Sequence, residues 1–96
     1  HMIYTNNEDV FDIASFCYNE LDLNNDVIID VKPLDAEGYC YEDGYVEINN
    51  SLPKKAFEIA ICHELVHCHQ YETRGTAEEE EAYNLENKLW KLWKSQ

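Results

Sequence analysis

Apolar positions first recur at helical intervals. Val10, Ile13, Ala14, Cys17 and Leu21 lie three or four apart, with Phe11 and Tyr18 widening the face. Thr5-Asn6-Asn7-Glu8 has capping-box spacing, so the pattern predicts a helix from about Asn6 to Leu23. Asn24-Asn25-Asp26 breaks it, and the β-branched run Val27–Val31, ended before Pro33, reads as a strand. Two further β-prone runs, Gly38–Tyr41 and Tyr45–Ile48, flank Glu42-Asp43-Gly44 and predict a hairpin. Its second strand should turn Val46 and Ile48 to one face and Tyr45 and Glu47 to the other. Asn49-Asn50-Ser51 stops that strand; Ser51 is expected to cap the next helix, with Pro53 in its first turn.

That helix, Leu52 to about Tyr71, is apolar on most of its circumference, with a narrow polar sector at Glu58 and His69. A helix of this kind is buried between layers. His69 reads as a solvated residue. After Thr73-Arg74-Gly75 a last helix is expected from Thr76 or Ala77 to Trp93. Its stripe is Ala82, Leu85, Leu89, Leu92 and Trp93, with Tyr83 and Trp90 at a margin. Acidic Glu78–Glu81 at its start and Lys88, Lys91 and Lys94 at its end match the helix dipole.

Ninety-six residues without repeat or long linker suit one domain, residues 2–96, with His1 set aside as a cloning remnant. The net charge of −13 disfavours nucleic acid and anionic membranes, whose phosphates it would repel. It leaves a basic partner open, or a soluble acidic protein without one. No stretch approaches a membrane span or a signal peptide, and Cys17, Cys40, Cys62 and Cys68 show no paired Cys-x-x-Cys spacing. Four reduced, mostly buried thiols in a cytoplasmic protein are expected, with Cys62 and Cys68 on different faces of one helix.

The candidate chemistry lies in Ala60–Tyr71, AICHELVHCHQY. Positions four apart on a helix lie nearly above one another, so His63 and His67 can reach one metal ion. Glu64, a quarter-turn away, falls beside the metal's open position as a general base. Chance would produce H-E-x-x-H on the order of 0.02 times in such a chain. The competing structural reading is two core histidines and a glutamate satisfied by ordinary hydrogen bonds. This stretch resembles the active-site helix of the zincin metallopeptidases.

A catalytic zinc site takes three protein ligands and leaves one position for water. No histidine follows His69, so a carboxylate from the last helix is the natural third ligand, with Glu78, Glu79, Glu80, Glu81 and Glu86 available. With the apolar stripe centred near Ala82, helical phase turns Glu80 outward and leaves Glu78 and Glu79 close. Resemblance points to Glu79. Small phage- and bacterial-type gluzincins show E-x-E-A-Y, here Glu79-Glu80-Glu81-Ala82-Tyr83, and Gly75-Thr76-Ala77-Glu78-Glu79 is similar to the G-T-x-x-D of aspzincins. Thr76-x-x-Glu79 is also capping-box spacing, which would occupy Glu79 without metal.

The resemblance implies an α+β, minimal zincin-like domain: an N-terminal helix, a small antiparallel-containing sheet, the H-E-x-x-H helix and a glutamate-bearing last helix. The larger gluzincins' N-E-x-x-x-D motif is absent. The implied function is a zinc-dependent hydrolase acting on a peptide or protein, with Zn²⁺ on His63, His67 and Glu79 and Glu64 as base. Tyr83 or Tyr71 would assist at the oxyanion, and Tyr45–Asn49 would be the edge strand that receives the peptide. The alternatives are a zinc-containing binding module without turnover, and an acidic antagonist that mimics nucleic acid.

Overall fold

The computed structural model describes residues 2–96, so the reading of His1 falls outside the described residues. Its elements are β1 (Ile3–Thr5), α1 (Glu8–Glu20), β2 (Val27–Lys32), β3 (Gly38–Cys40), β4 (Tyr45–Asn49), α2 (Lys54–Arg74) and α3 (Glu79–Lys94). The four strands form one mixed sheet in the order β1-β2-β4-β3; β1–β2 and β2–β4 are parallel, β3–β4 antiparallel. The described residues thus form an α+β fold with three helices and a four-stranded sheet. Among the described residues no helix is long and apolar enough to cross a membrane.

The apolar circumference of α2 follows from its position. One side packs on the sheet and α1, the other on α3. Ile61, Leu65 and Val66 are fully buried with Ile13 of α1, Ile29 of β2 and Val46 and Ile48 of β4. Cys62 turns to α1, its Sγ 3.5 Å from that of Cys17, and Cys68 turns to β3, its Sγ 3.4 Å from that of Cys40. All four thiols are free, and the two on α2 face different neighbours, as expected.

Several expectations need correction. The first helix is capped by Asn7, whose side chain accepts from the Asp9 N–H at 2.9 Å; Thr5 Oγ1 instead accepts from the Asn7 N–H. Ile3–Thr5 is therefore free to pair with Val27–Ile29 as a strand that its three residues were too short to announce. Ser51 does not cap α2: Pro53 holds the N-cap position, and no side-chain hydrogen bond closes that end. Glu58 is buried, accepting from Trp90 Nε1 at 3.0 Å, and His69 is half-buried rather than solvated. Leu92 is exposed, because α3 leans on α2 through Ala82 and Leu89 and only part of the expected stripe is covered.

The placement of β4 matters most for function. The hairpin forms with Cys40 opposite Val46, and Val46 and Ile48 are buried as expected. However, β4 pairs on both sides, because β2 runs parallel along its other edge. Its alternating buried residues suit an inner strand, whereas three-residue β3 closes the sheet. The edge beside α2 is β3, and Tyr45–Asn49 cannot receive a peptide strand.

Candidate metal centre

Helical spacing stacks His63 and His67 on the side of α2 that faces the start of α3, with their rings 4.7 Å apart and nearly perpendicular. Gly75, at φ +76°, ends α2 in the left-handed conformation that glycine adopts without steric cost, and the chain turns back into α3. Helix α3 begins at Glu79, later than expected. Glu78 is its N-cap and the Thr76–Glu79 capping box does not form.

Glu79 is directed to the histidines. Its Oε1 lies 2.9 Å from His63 Nε2 and 2.7 Å from His67 Nε2, and the two Nε2 atoms are 3.1 Å apart. Among the described residues, His63, His67 and Glu79 are the one group placed to hold a metal ion. Glu78 contributes its backbone, Glu81 bonds Gln70 Nε2 and Arg74, and Glu86 Oε1 lies 2.8 Å from His63 Nδ1. Helical phase left Glu78 open because it assumed a helix already formed there.

The outer ring nitrogens fix what the inner ones offer. Gln70 is fully buried, and its Nε2 donates to the Glu78 carbonyl and to Glu81 Oε1. Its Oε1 therefore accepts, from the Glu78 N–H and from His67 Nδ1, each at 2.8 Å. His67 thus carries its proton on Nδ1, and Glu86 holds the proton of His63 on Nδ1 in the same way. In the neutral rings both Nε2 lone pairs then face each other and a carboxylate oxygen. Three acceptors converge. A proton on either Nε2 gives an imidazolium–carboxylate pair with Glu79 at 2.7–2.9 Å, and charging both rings sets two cations nitrogen to nitrogen at 3.1 Å. A single divalent cation satisfies all three. Tetrahedral zinc ligands about 2.0–2.1 Å from the ion are about 3.3–3.4 Å apart, so these atoms, now 2.7–3.1 Å apart, need to open by about 0.2–0.7 Å.

Glu64 lies beside this group and outside it. The residue is 6% exposed, yet its carboxylate makes no hydrogen bond or ion pair with any described residue. Burial pushes its pKa up to about 7; the His67 charge opposes that rise, and Glu79, Glu37 and Glu86 add to it. The space it occupies exists because position 38 is glycine: a Cβ there would sit 3.1 Å from Glu64 Oε2 and 2.9 Å from the Glu47 carbonyl oxygen.

The site opens into a cleft of about 300 Å³ whose walls include Glu37, Gly38 and Tyr39 near β3, and Tyr83 on α3. The Tyr83 ring lies 4.8 Å from that of His63. Tyr71 instead lines a separate depression of about 340 Å³ with Asp43 and Glu72, so of the two tyrosines considered only Tyr83 belongs to the cleft. Sequence reasoning missed Gln70, Gly38 and the supporting role of Glu86. Gln70 stands three residues after His67, and Glu86 seven after Glu79, both same-face spacings on a helix. The contact of Gly38 with Glu64 crosses from sheet to helix and leaves no local signal. No protein-family model, curated protein or solved structure matches the chain.

Proposed function

We propose that the protein is a zinc-dependent hydrolase, acting on a peptide or protein, with His63, His67 and Glu79 as ligands and Glu64 as general base. The convergence of two bare imidazole Nε2 lone pairs and a carboxylate oxygen carries the reading, since a divalent cation satisfies all three. One face stays open on the cleft side, where Glu79 is exposed.

Zinc bound there supplies a Lewis acid and lowers the pKa of its water toward about 7. The chain supplies the rest. Glu64, buried beside the site and lining the cleft, would take a proton from that water and return it to the leaving amine. Gln70 and Glu86 keep the Nε2 lone pairs directed inward. Tyr83, whose ring lies 4.8 Å from that of His63 in the cleft wall, would offer its hydroxyl to a developing oxyanion. The exposed edge of β3, rather than β4, offers backbone groups to an extended peptide.

Elemental mass spectrometry of the purified protein, with His67→Ala, Glu79→Ala and Glu78→Ala beside it, tests the centre. One equivalent of zinc, lost with His67 and Glu79 and kept with Glu78, is expected. No zinc after incubation and removal of excess would end the reading. Turnover of a peptide library, abolished in zinc-loaded Glu64→Gln, tests the chemistry. Bound zinc without turnover in the wild type would leave a binding module.

A further inference from the structure

We propose that the outer face of the sheet, opposite the helices, docks an arginine-bearing segment of a cationic protein. The helices cover the inner face alone, and the outer face carries an aromatic row. Tyr4, Ile28 and Tyr45 are in-register neighbours across β1, β2 and β4, and the Tyr41 ring stacks on that of Tyr45 at 5.7 Å. Tyr4, Ile28 and Tyr41 are each nearly half exposed, and Tyr4, Ile28 and Tyr45 line a shallow depression of about 290 Å³. Contiguous apolar surface of this kind marks an interaction site more often than bare monomer surface.

The polar groups between the rings select the partner. Tyr45 donates its hydroxyl to Asp30 at 2.9 Å, Tyr41 to Glu47 at 2.9 Å and Tyr39 to Asp35 at 2.7 Å. Each ring is tethered through its hydroxyl, so little side-chain freedom remains to be lost on binding. Asp30 and Glu47 stand directly opposite each other across β2 and β4, a like-charge pairing that destabilises a sheet. Lys32, 3.2 Å from Glu47 and 4.0 Å from Asp30, relieves it in part. A guanidinium relieves it further and stacks on a tyrosine face at the same time; an ammonium gains the charge contact with less of the stacking. The chain's net charge of −13 repels a second copy and repels nucleic acid.

The test is titration of the 96-residue chain with a labelled oligo-arginine peptide, with backbone amide shifts mapping the contact. Ile28→Lys breaks the centre of the row and adds one positive charge; Asn87→Lys adds the same charge at an exposed position on α3. Ile28→Lys is expected to weaken binding by about tenfold or more, and Asn87→Lys by less than about twofold. Shifts should centre on β1, β2 and β4, and oligo-lysine should bind several-fold more weakly. Equal loss in both variants, or shifts centred on Glu79–Glu81, would reduce the effect to net charge and overturn the proposal. So would self-association that Ile28→Lys abolishes, which would give the face to a second copy.

Discussion

Gln70 Oε1 lies 2.8 Å from His67 Nδ1, and the same oxygen accepts the Glu78 N–H, so one buried amide orients a histidine and anchors the start of α3. Histidine orientation and helix packing share a residue. Gln70→Ala leaves His67 Nδ1 and the Glu78 backbone unpaired. Zinc affinity, measured by competition with a chromophoric chelator, is expected to fall about 10–100-fold, and stability by about 1–3 kcal/mol. Wild-type affinity in this variant would show that the His67 ring is oriented by something else.

Glu64 couples stability to pH with an unusual sign for a carboxylate. Its folded pKa, near 7, lies above the ordinary value of 4.5, so the folded state holds a proton that the unfolded state has released. Stability from this group is full below about pH 4.5 and falls as pH rises through 7. In chelator-treated protein, Glu64→Gln should unfold at higher temperature than wild type above neutrality, by roughly 1–3 kcal/mol of stability. The difference should vanish toward pH 4.5. A pH-independent difference would mean that Glu64 is already solvated when folded.

The glycine at position 38 should be irreplaceable for chemistry and replaceable for metal. In Gly38→Ala the new methyl meets the Glu47 carbonyl oxygen and the Glu64 carboxylate. Peptide turnover is expected to drop about tenfold or more through displacement of the base, with stability lower by about 1–3 kcal/mol and zinc stoichiometry unchanged. Full turnover with an unchanged unfolding temperature would show that β3 moves aside freely.

Tyr83→Phe removes the hydroxyl and keeps the ring against His63. A fall in kcat of about 10–100-fold with KM and zinc content unchanged is the outcome for an oxyanion donor. An unchanged kcat would assign Tyr83 to the cleft wall alone.

Acid should loosen the turn between α2 and α3. Arg74 and Gln70 hold the Glu81 carboxyl down to about 2, so the stability it contributes is present above the ordinary value near 4.5 and is lost as pH falls toward 2. Glu81→Gln should remove that part of the acid sensitivity, read from unfolding temperature across the range. An identical acid profile would place the sensitivity in other carboxylates.

What the sequence made legible was local. Periodicity and turn residues located both sides of the hairpin and all three helices, and four-residue spacing brought His63 and His67 together. The inner and outer faces of β4 followed from alternation alone. Neighbour relations between distant segments were not legible. A hairpin signal at Glu42–Gly44 says that β3 and β4 pair, and nothing about which has β2 on its far side. In the sequence, Glu79 is favoured over Glu78 as a candidate ligand only with the help of family resemblance, because helical phase cannot separate residues at a helix start whose position it must assume. The buried partners Glu58–Trp90 and Gly38–Glu64 span separate elements, where local pattern carries no information.

At 1.5 Å per residue, the 21 residues of α2 extend about 31 Å, which matches the longest dimension of the protein, 31 Å. Helix α2 is thus long relative to the body it belongs to, and β3 and α3 form the cleft against its flank. Among the described residues the walls of the cleft come from α2, α3, β3 and the two residues just before β3. On the proposed chemistry a peptide lying across these walls would itself displace water from the cleft. Turnover should then climb with peptide length until the chain spans from β3 to Tyr83, and level off beyond it.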